Sequence, residues 1–261
     1  MLAESAGTAA VARAPRRGAG VRRAAPRFLL TPLLLAAVLG VLYLWVSNLS
    51  LDSIERRTLN AGYIAARVGE HLRLTGMAVL LVVLIAIPLG IALSRPAARW
   101  LSPLVLGLAN LGQATPAIGL LVLLTIKFGV GFRIALIGLV AYAVLPVLRN
   151  TIVGVQQVDQ TLIEAARGMG MTRAQVLRRV ELKLAIPVIL AGLRTSLVMA
   201  VGVATLATFV NAGGLGDIIV NGIKLDRTPV LVTGSILTAA IAFLVDWAGG
   251  VAEDLLRPGG V

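Results

Sequence analysis

The sequence predicts an all-α, polytopic membrane bundle of about six transmembrane helices, on three observations. Of its 261 residues 58% are hydrophobic and only 14% charged, whereas soluble domains run about 25% charged. Mean hydropathy is +0.92. Five charge-free stretches are long enough to cross the roughly 30 Å of hydrocarbon, which takes about 20 helical residues. They are Phe28 to Ser47, Leu74 to Ser94, Trp100 to Ile126, Thr195 to Gly216 and Thr228 to Val245. A sixth, Ile134 to Leu148, is charge-free for only 15 residues, and Phe128 to Gly131 extend it if Arg133 snorkels to the interface.

These numbers exclude a disordered chain, a soluble enzyme and a nucleic-acid binder. A net charge of +12 would otherwise invite the last. The 21 Arg against 3 Lys carry no function by themselves. With no Cys and one His, the chain cannot build a disulfide, an iron–sulfur cluster, a thiol nucleophile or a His-based metal site, so no cofactor is expected.

The charge is informative by position. With six spans, 16 Lys and Arg fall on one side and eight on the other. Basic residues near span ends stay in the cytoplasm, so both termini and the long loop after Leu148 are expected inside. Residues 1–27 carry six Arg and nine Ala without apolar periodicity, which predicts a disordered basic cytoplasmic tail. A cleaved signal peptide fits less well, because the first apolar run is too long and no A-x-A site follows. Residues 28–250 form the transmembrane domain, and 251–261 a cytoplasmic C-terminal tail.

On the outer side, Asn48 to Arg73 mixes charges with Ile64, Val68 and Leu72 at helical spacing, as suits a helix lying on the surface. His71 at its end reads as a solvated or interfacial imidazole rather than a proton switch. The five clear spans contain no ionisable group, which argues against a proton-coupled carrier. They offer Asn110, Gln113, Thr115, Thr205, Thr208 and Asn211 instead, with Pro88, Pro116 and Pro146 breaking backbone regularity across the spans. Such groups either line a path for a weakly held solute or bond between helices. Gly107, Gly112, Gly119, Ala200, Ala204 and Thr208 suit close helix packing. Trp45, Trp100 and Trp247, at span ends, suit interface anchors.

The cytoplasmic segment 156–187 is long for a connection. Asp159 can cap a helix through Leu162, Ile163 and Ala166. Gly168 and Gly170 permit a turn. Thr172 and Gln175 have capping-box spacing for a second helix, Arg173 to about Leu184. An exposed amphipathic helix of this kind lies on the leaflet, packs under its own bundle or docks in a partner's groove.

Glu164, Ala165 and Ala166, followed after three residues by Gly170, resemble the EAA signature of ABC importer permeases. Val180, Glu181 and Leu182 continue the pattern. Lys183 stands where that family usually has proline, and Pro187 follows four residues later, which leaves the end of the second helix open. GEHLRLTGMAVLLVVLIAIPLGIAL (Gly69 to Leu93), ANLGQATPAIGLLVLL (Ala109 to Leu124) and ATFVNAGGLGDIIVNGI (Ala207 to Ile223) are similar to the osmoprotectant permeases, which move glycine betaine, carnitine, choline or related quaternary amines. The similarity covers about residues 69–250.

The resemblance implies a type I ABC importer (MetI-like) permease fold in a bacterial inner membrane. Its expected partners are an ABC ATP-binding subunit, a second permease copy or paralogue, and an extracytoplasmic solute-binding protein. No G-x-x-x-x-G-K-[ST] loop is present, so ATP hydrolysis belongs to a separate subunit and this chain is non-catalytic. In the coupling loop, the resemblance assigns Glu164 and Arg167 to polar contacts with the ATPase, Ala165 and Ala166 to close approach and Gly170 to the corner. Leu182 completes the motif. Asn110, Gln113, Thr115, Thr208 and Asn211 are candidate path residues. Gly213, Gly214 and Gly216 mark an outer-gate turn, or a plain helix cap and loop. Asp217 reads as an interfacial carboxylate. The competing functions are a permease for methionine or another small amino acid, and, in a different class, an autonomous channel or secondary carrier.

Overall fold

The computed structural model describes residues 25–256, so the expected basic tail up to residue 24, and residues 257–261, lie outside the described residues. Eleven helices are described: α1 (Ala25–Ser47), α2 (Ser53–Thr58), α3 (Ala61–Ser94), α4 (Ser102–Ala114), α5 (Ala117–Phe128), α6 (Phe132–Gln156), α7 (Gln160–Gly168), α8 (Arg173–Val176), α9 (Leu182–Ala204), α10 (Leu215–Lys224) and α11 (Thr228–Leu256). Five are long and apolar enough to cross a membrane; α4 and α5 make a sixth crossing if the bent pair counts as one.

Local chemistry sets the boundaries. Asp52 accepts the Ile54 and Glu55 N–H groups, and the Glu55 carboxylate returns to the Asp52 N–H at 2.9 Å, closing a capping box on α2. Asn60 caps α3 by accepting the Tyr63 N–H at 2.8 Å. From that cap α3 runs unbroken for 34 residues. The expected surface helix is therefore only α2 and its flanks, and the part from Ala61 onward is the first turns of a span.

The run Trp100 to Ile126, expected as one rod, is broken. Thr115 is extended (ψ 134°), as the residue before a proline prefers, and α4 and α5 meet there at 97°. Each half has 12 or 13 residues, about 20 Å and too short to cross alone. Pro88, Pro146 and Pro187 sit inside continuous helices. Their neighbours are packed among buried residues, and that packing holds the rod together across the missing N–H.

The span with the shortest charge-free run is the centre of the molecule. The apolar stretch of α6 is 44% buried against 6% for α1. It packs between α3 and α9 around Val82, Ala86, Ala143, Val147, Leu148 and Ala200. The backbones approach closely: a Cβ at Gly192 would lie 2.7 Å from both the Asn150 Cβ and the Pro146 carbonyl, and one at Gly90 2.7 Å from the Thr151 Cβ. Polar side chains stitch the same seams, with Ser196 donating to the Ala143 carbonyl at 2.7 Å and Asn150 to that of Val188 at 3.1 Å. Gly192→Val is expected to lower the melting temperature of the purified protein, since overpacking costs about 1–3 kcal/mol. An unchanged melting curve would mean that α6 and α9 are not in contact there.

Of the expected small-residue contacts, Gly112 meets the Ala141 carbonyl (2.9 Å from a built Cβ) and Ala200 and Ala204 are buried, whereas Gly107 faces open space. Arg194 and Asp246, each one residue beyond an expected span, lie inside α9 and α11. They form a bidentate pair at 2.5 and 2.6 Å, so the helices that cross are not free of charge.

Candidate functional site

The segment between α6 and α9 forms a corner at one end of the bundle. Asp159 caps α7 through the Thr161 N–H at 2.8 Å. That backbone bond, with a further one from the Thr161 side chain, holds the Asp159 carboxyl below the usual carboxylate range. Gly170 follows α7 at φ +84°, a left-handed conformation that favours glycine. Its N–H donates to the Arg167 carbonyl at 2.9 Å, and the Met171 N–H to that of Ala166 at 3.2 Å. Thr172 and Gln175 then close the second capping box, with bonds of 2.8 and 3.3 Å.

The corner has its own small core of Ile163, Ala166 and Val176, flanked by Val158, Met171 and Val180. Glu164, Ala165, Arg167 and Gly170 are exposed on its outer face. The two motif alanines therefore split: Ala165 is presented and Ala166 is buried. Leu182 is half-buried and packs with Val155, Ala185 and Ile189, inside the bundle and away from the presented face.

The second helix does not end near Leu184. A π turn, Leu177–Glu181, joins α8 to α9, and the rod continues through a 3-10 segment, Thr205–Val210. Arg173–Val210 is thus 38 residues, about 57 Å long. At its base the buried Glu181 pairs with Arg95, just after α3. Glu181 lies inside the motif, whose sequence gives no sign of the partner at the end of α3.

The far end of the rod meets the glycine turn. Asn211 is left-handed at φ +57°, Gly213 and Gly214 have φ +76° and +94°, and α10 starts at Leu215. Four charged or polar groups close around it. Arg67 pairs with Asp217 at 2.6 Å and with Glu70 at 2.9 Å. Thr208 donates to Asp217, and the Gly214 N–H donates to Glu70 at 2.9 Å. Asp217 is thus a latch between α3 and α10 rather than a simple interfacial carboxylate.

The glycines are needed for space. A Cβ on Gly213 would lie 2.3 Å from the Glu70 carboxylate, one on Gly214 3.2 Å from His71 Nδ1, and one on Gly216 1.9 Å from the Thr205 carbonyl. His71 is fully buried, contrary to the solvated imidazole expected. Its Nε2 lies 3.2 Å from the Val201 carbonyl, which can only accept, so Nε2 donates. It stands between α3, α9 and the glycine turn.

Thr208, Asn211, Gly213, Gly214 and Gly216 are therefore gathered in one place, whereas Asn110, Gln113 and Thr115 lie apart on α4 and its elbow. Asn110 is exposed, Gln113 reaches the Met199 sulfur at 3.5 Å, and Thr115 bonds back to the Leu111 carbonyl at 2.8 Å. Arg67, Glu70, His71, Arg95 and Glu181 were missed as site residues. Arg67 and Glu70 carry the i,i+3 spacing of a helix pair, but nothing local points to Asp217, 150 positions away.

Comparison with known proteins agrees with this architecture. The family model for the binding-protein-dependent transport system inner membrane component matches residues 86–257. The carnitine transport permease protein OpuCD of Listeria monocytogenes is 40% identical over 206 residues, 78% of this chain and 92% of the relative. The choline transport system permease protein OpuBB of Bacillus subtilis is 39% identical over 77% of this chain and 92% of its own length. The osmoprotectant import permease protein OsmW of Salmonella typhimurium is 37% identical over 81% of this chain and 100% of its own. Among solved structures, a chain of the inward-facing MetNI methionine ABC transporter superposes with a TM-score of 0.66 at 24% identity, covering 80% of this chain and 100% of that one. That likeness shows the MetI-like fold. A helix bundle of this topology, a corner bearing the EAA signature and relatives near 40% identity together place the chain in the family of binding-protein-dependent transport system inner membrane components.

Proposed function

We propose that this chain is the permease subunit of an ATP-driven importer for quaternary-amine osmoprotectants such as glycine betaine, choline or carnitine. The observation that carries the substrate class is the agreement of relatives at 37–40% identity, named for carnitine, choline and osmoprotectant transport. The methionine alternative rests on fold neighbours at 24–26% identity, a weaker basis.

In this reading the chain sits in a bacterial inner membrane with the corner and both termini inside, as the bias of basic residues supports. A second permease copy or paralogue completes the pore. An ATP-binding subunit docks on the presented face, Glu164, Ala165, Arg167 and Gly170. A solute-binding protein delivers solute to the opposite end.

The rod supplies the coupling. Displacing the corner moves the π turn and α9 as one body, and the other end of that body is the glycine turn latched to α3. The rod and α3 are pinned at two levels, by Arg95–Glu181 at the base and at the top by His71–Val201 and, through α10, by the Arg67–Asp217 pair to which Thr208 donates. ATP-driven closure thus tilts the rod against α3 and strains the upper latch, a rigid-body transition between two packed arrangements. Asn110, Gln113 and Thr115 offer neutral polar groups to a passing solute, without the carboxylates that would retain a cation. Tight recognition then belongs to the binding protein.

The test is reconstitution with the ATP-binding subunit and the solute-binding protein in liposomes, followed by uptake of labelled glycine betaine, choline, carnitine and methionine. ATP-dependent accumulation of a quaternary amine is expected, and none with the chain alone. Methionine accumulation would replace the substrate assignment, and flux through the isolated chain would indicate a channel or carrier. In the same assay Arg67→Gln is expected to slow uptake while the ATP-binding subunit still co-purifies. A hydrogen-bonded charge contributes about 1.5–3 kcal/mol, and its loss frees the latch in both states. Wild-type uptake by this variant would remove the latch from the cycle.

A further inference from the structure

One cavity belongs neither to the corner nor to the glycine turn. It lies where α1 meets α2, α3 and α11, at the end of the bundle opposite the corner, with a volume of about 560 Å³. Sites for small molecules typically fall between about 300 and 1,000 Å³. Leu39, Leu42 and Val46 of α1, Leu59, and Leu237 of α11 supply aliphatic walls, and Arg56 stands among them.

Two further features narrow the occupant. First, α1 is loosely held: Leu42 is its one buried side chain among the described residues. A greasy gap beside such a helix, open to a bilayer, is filled by hydrocarbon rather than left void or wet, because empty apolar space forfeits dispersion contacts. Second, the nearby charges leave two arginines over. Asp52 is paired with Arg227 at 2.9 Å. The Glu55 carboxylate is turned in to accept the Asp52 N–H. Arg56 donates its Nε to the Leu51 carbonyl at 3.0 Å, which fixes its guanidinium, and neither Arg56 nor Arg57 has a carboxylate partner among the described residues. A fixed guanidinium at the mouth of an apolar slot is complementary to a phosphate carrying an acyl chain. It repels a quaternary amine, so the slot is no part of the solute path.

We propose that this groove is a binding site for one anionic glycerophospholipid, its acyl chain between α1 and α11 and its phosphate on Arg56, with Arg57 adding attraction. The lipid wedges α1 against α11 and so completes a contact in which Leu42 is the one buried α1 side chain among the described residues. The reading depends on membrane embedding and not on which solute is carried.

The test is native mass spectrometry of the intact complex released from nanodiscs of equal phosphatidylglycerol and phosphatidylethanolamine. One retained phosphatidylglycerol per permease chain is expected. The preference should fall about fivefold for each charge removed in Arg56→Gln and Arg57→Gln, while the melting temperature in lipid-free detergent stays unchanged. Val46→Trp, which fills the slot, should abolish retention of either lipid. Equal retention of both lipids by the wild type, or retention unchanged in the arginine variants, would overturn the proposal. So would cross-linking of Val46→Cys to a second copy, since protein would then occupy the groove.

Discussion

Gly170→Trp is expected to part the permease from its ATP-binding subunit while leaving the bundle folded. Gly170 has φ +84°, so any side chain other than glycine adds backbone strain of about 1–3 kcal/mol. A Cβ built there meets nothing within 4 Å, so there is no clash to transmit inward. The core of the corner, Ile163, Ala166 and Val176, lies on the other side of the turn. The indole instead projects from the face that carries Glu164 and Arg167, where a partner would have to come close. The expected result is loss of co-purifying ATP-binding subunit, and with it of ATP-dependent uptake, by tenfold or more (about 1.4 kcal/mol in docking). Gly170→Asn, which tolerates a left-handed backbone, should retain most of both. Undiminished co-purification with the tryptophan variant would take the corner out of the coupling machinery.

The complementary result comes from the other end of the rod. Gly216→Ala places a methyl group 1.9 Å from the carbonyl oxygen of Thr205. Both the obstacle and the point of attachment are backbone, so no rotamer change relieves the overlap. The start of α10 must move off the 3-10 segment, and Asp217, one residue on, moves with it. The cost lies at or above the upper end of the about 1–3 kcal/mol usual for overpacking. Uptake should be lost while the ATP-binding subunit remains attached, the converse of the corner variant. Wild-type uptake by Gly216→Ala would mean that the turn tolerates rearrangement and does not act as a gate.

Features legible in the sequence share one property: they are local. The caps at Asp159 and Thr172, the capping-box partner Gln175 and the turn at Gly170 depend on residues within a few positions, and each forms as its spacing predicts. The spans follow from runs of apolar residues, and the EAA signature is a contiguous string. What was not legible depends on tertiary partners. Pro32, Pro88, Pro146 and Pro187 stand inside continuous helices and Pro116 parts two, because packing around Pro88, Pro146 and Pro187 overrides the lost hydrogen bond. His71 looked interfacial from its polar neighbours, yet α9 and the glycine turn cover it. Asp217 gained a role only when the fold brought Arg67 to it. The second helix of the corner lacked a visible end because it has none, passing through a π turn into α9.

The elbow between α4 and α5 has a consequence for how the chain sits in lipid. The N–H groups of Ala117, Ile118 and Gly119 find no acceptor among the described residues, and Pro116 offers no N–H to continue the ladder. Acyl tails cannot solvate such groups. The elbow therefore cannot face hydrocarbon; moisture or another polypeptide must reach it. The longest uncharged stretch in the chain, the part a hydropathy plot would place most firmly in oil, is the part whose main chain requires polar company.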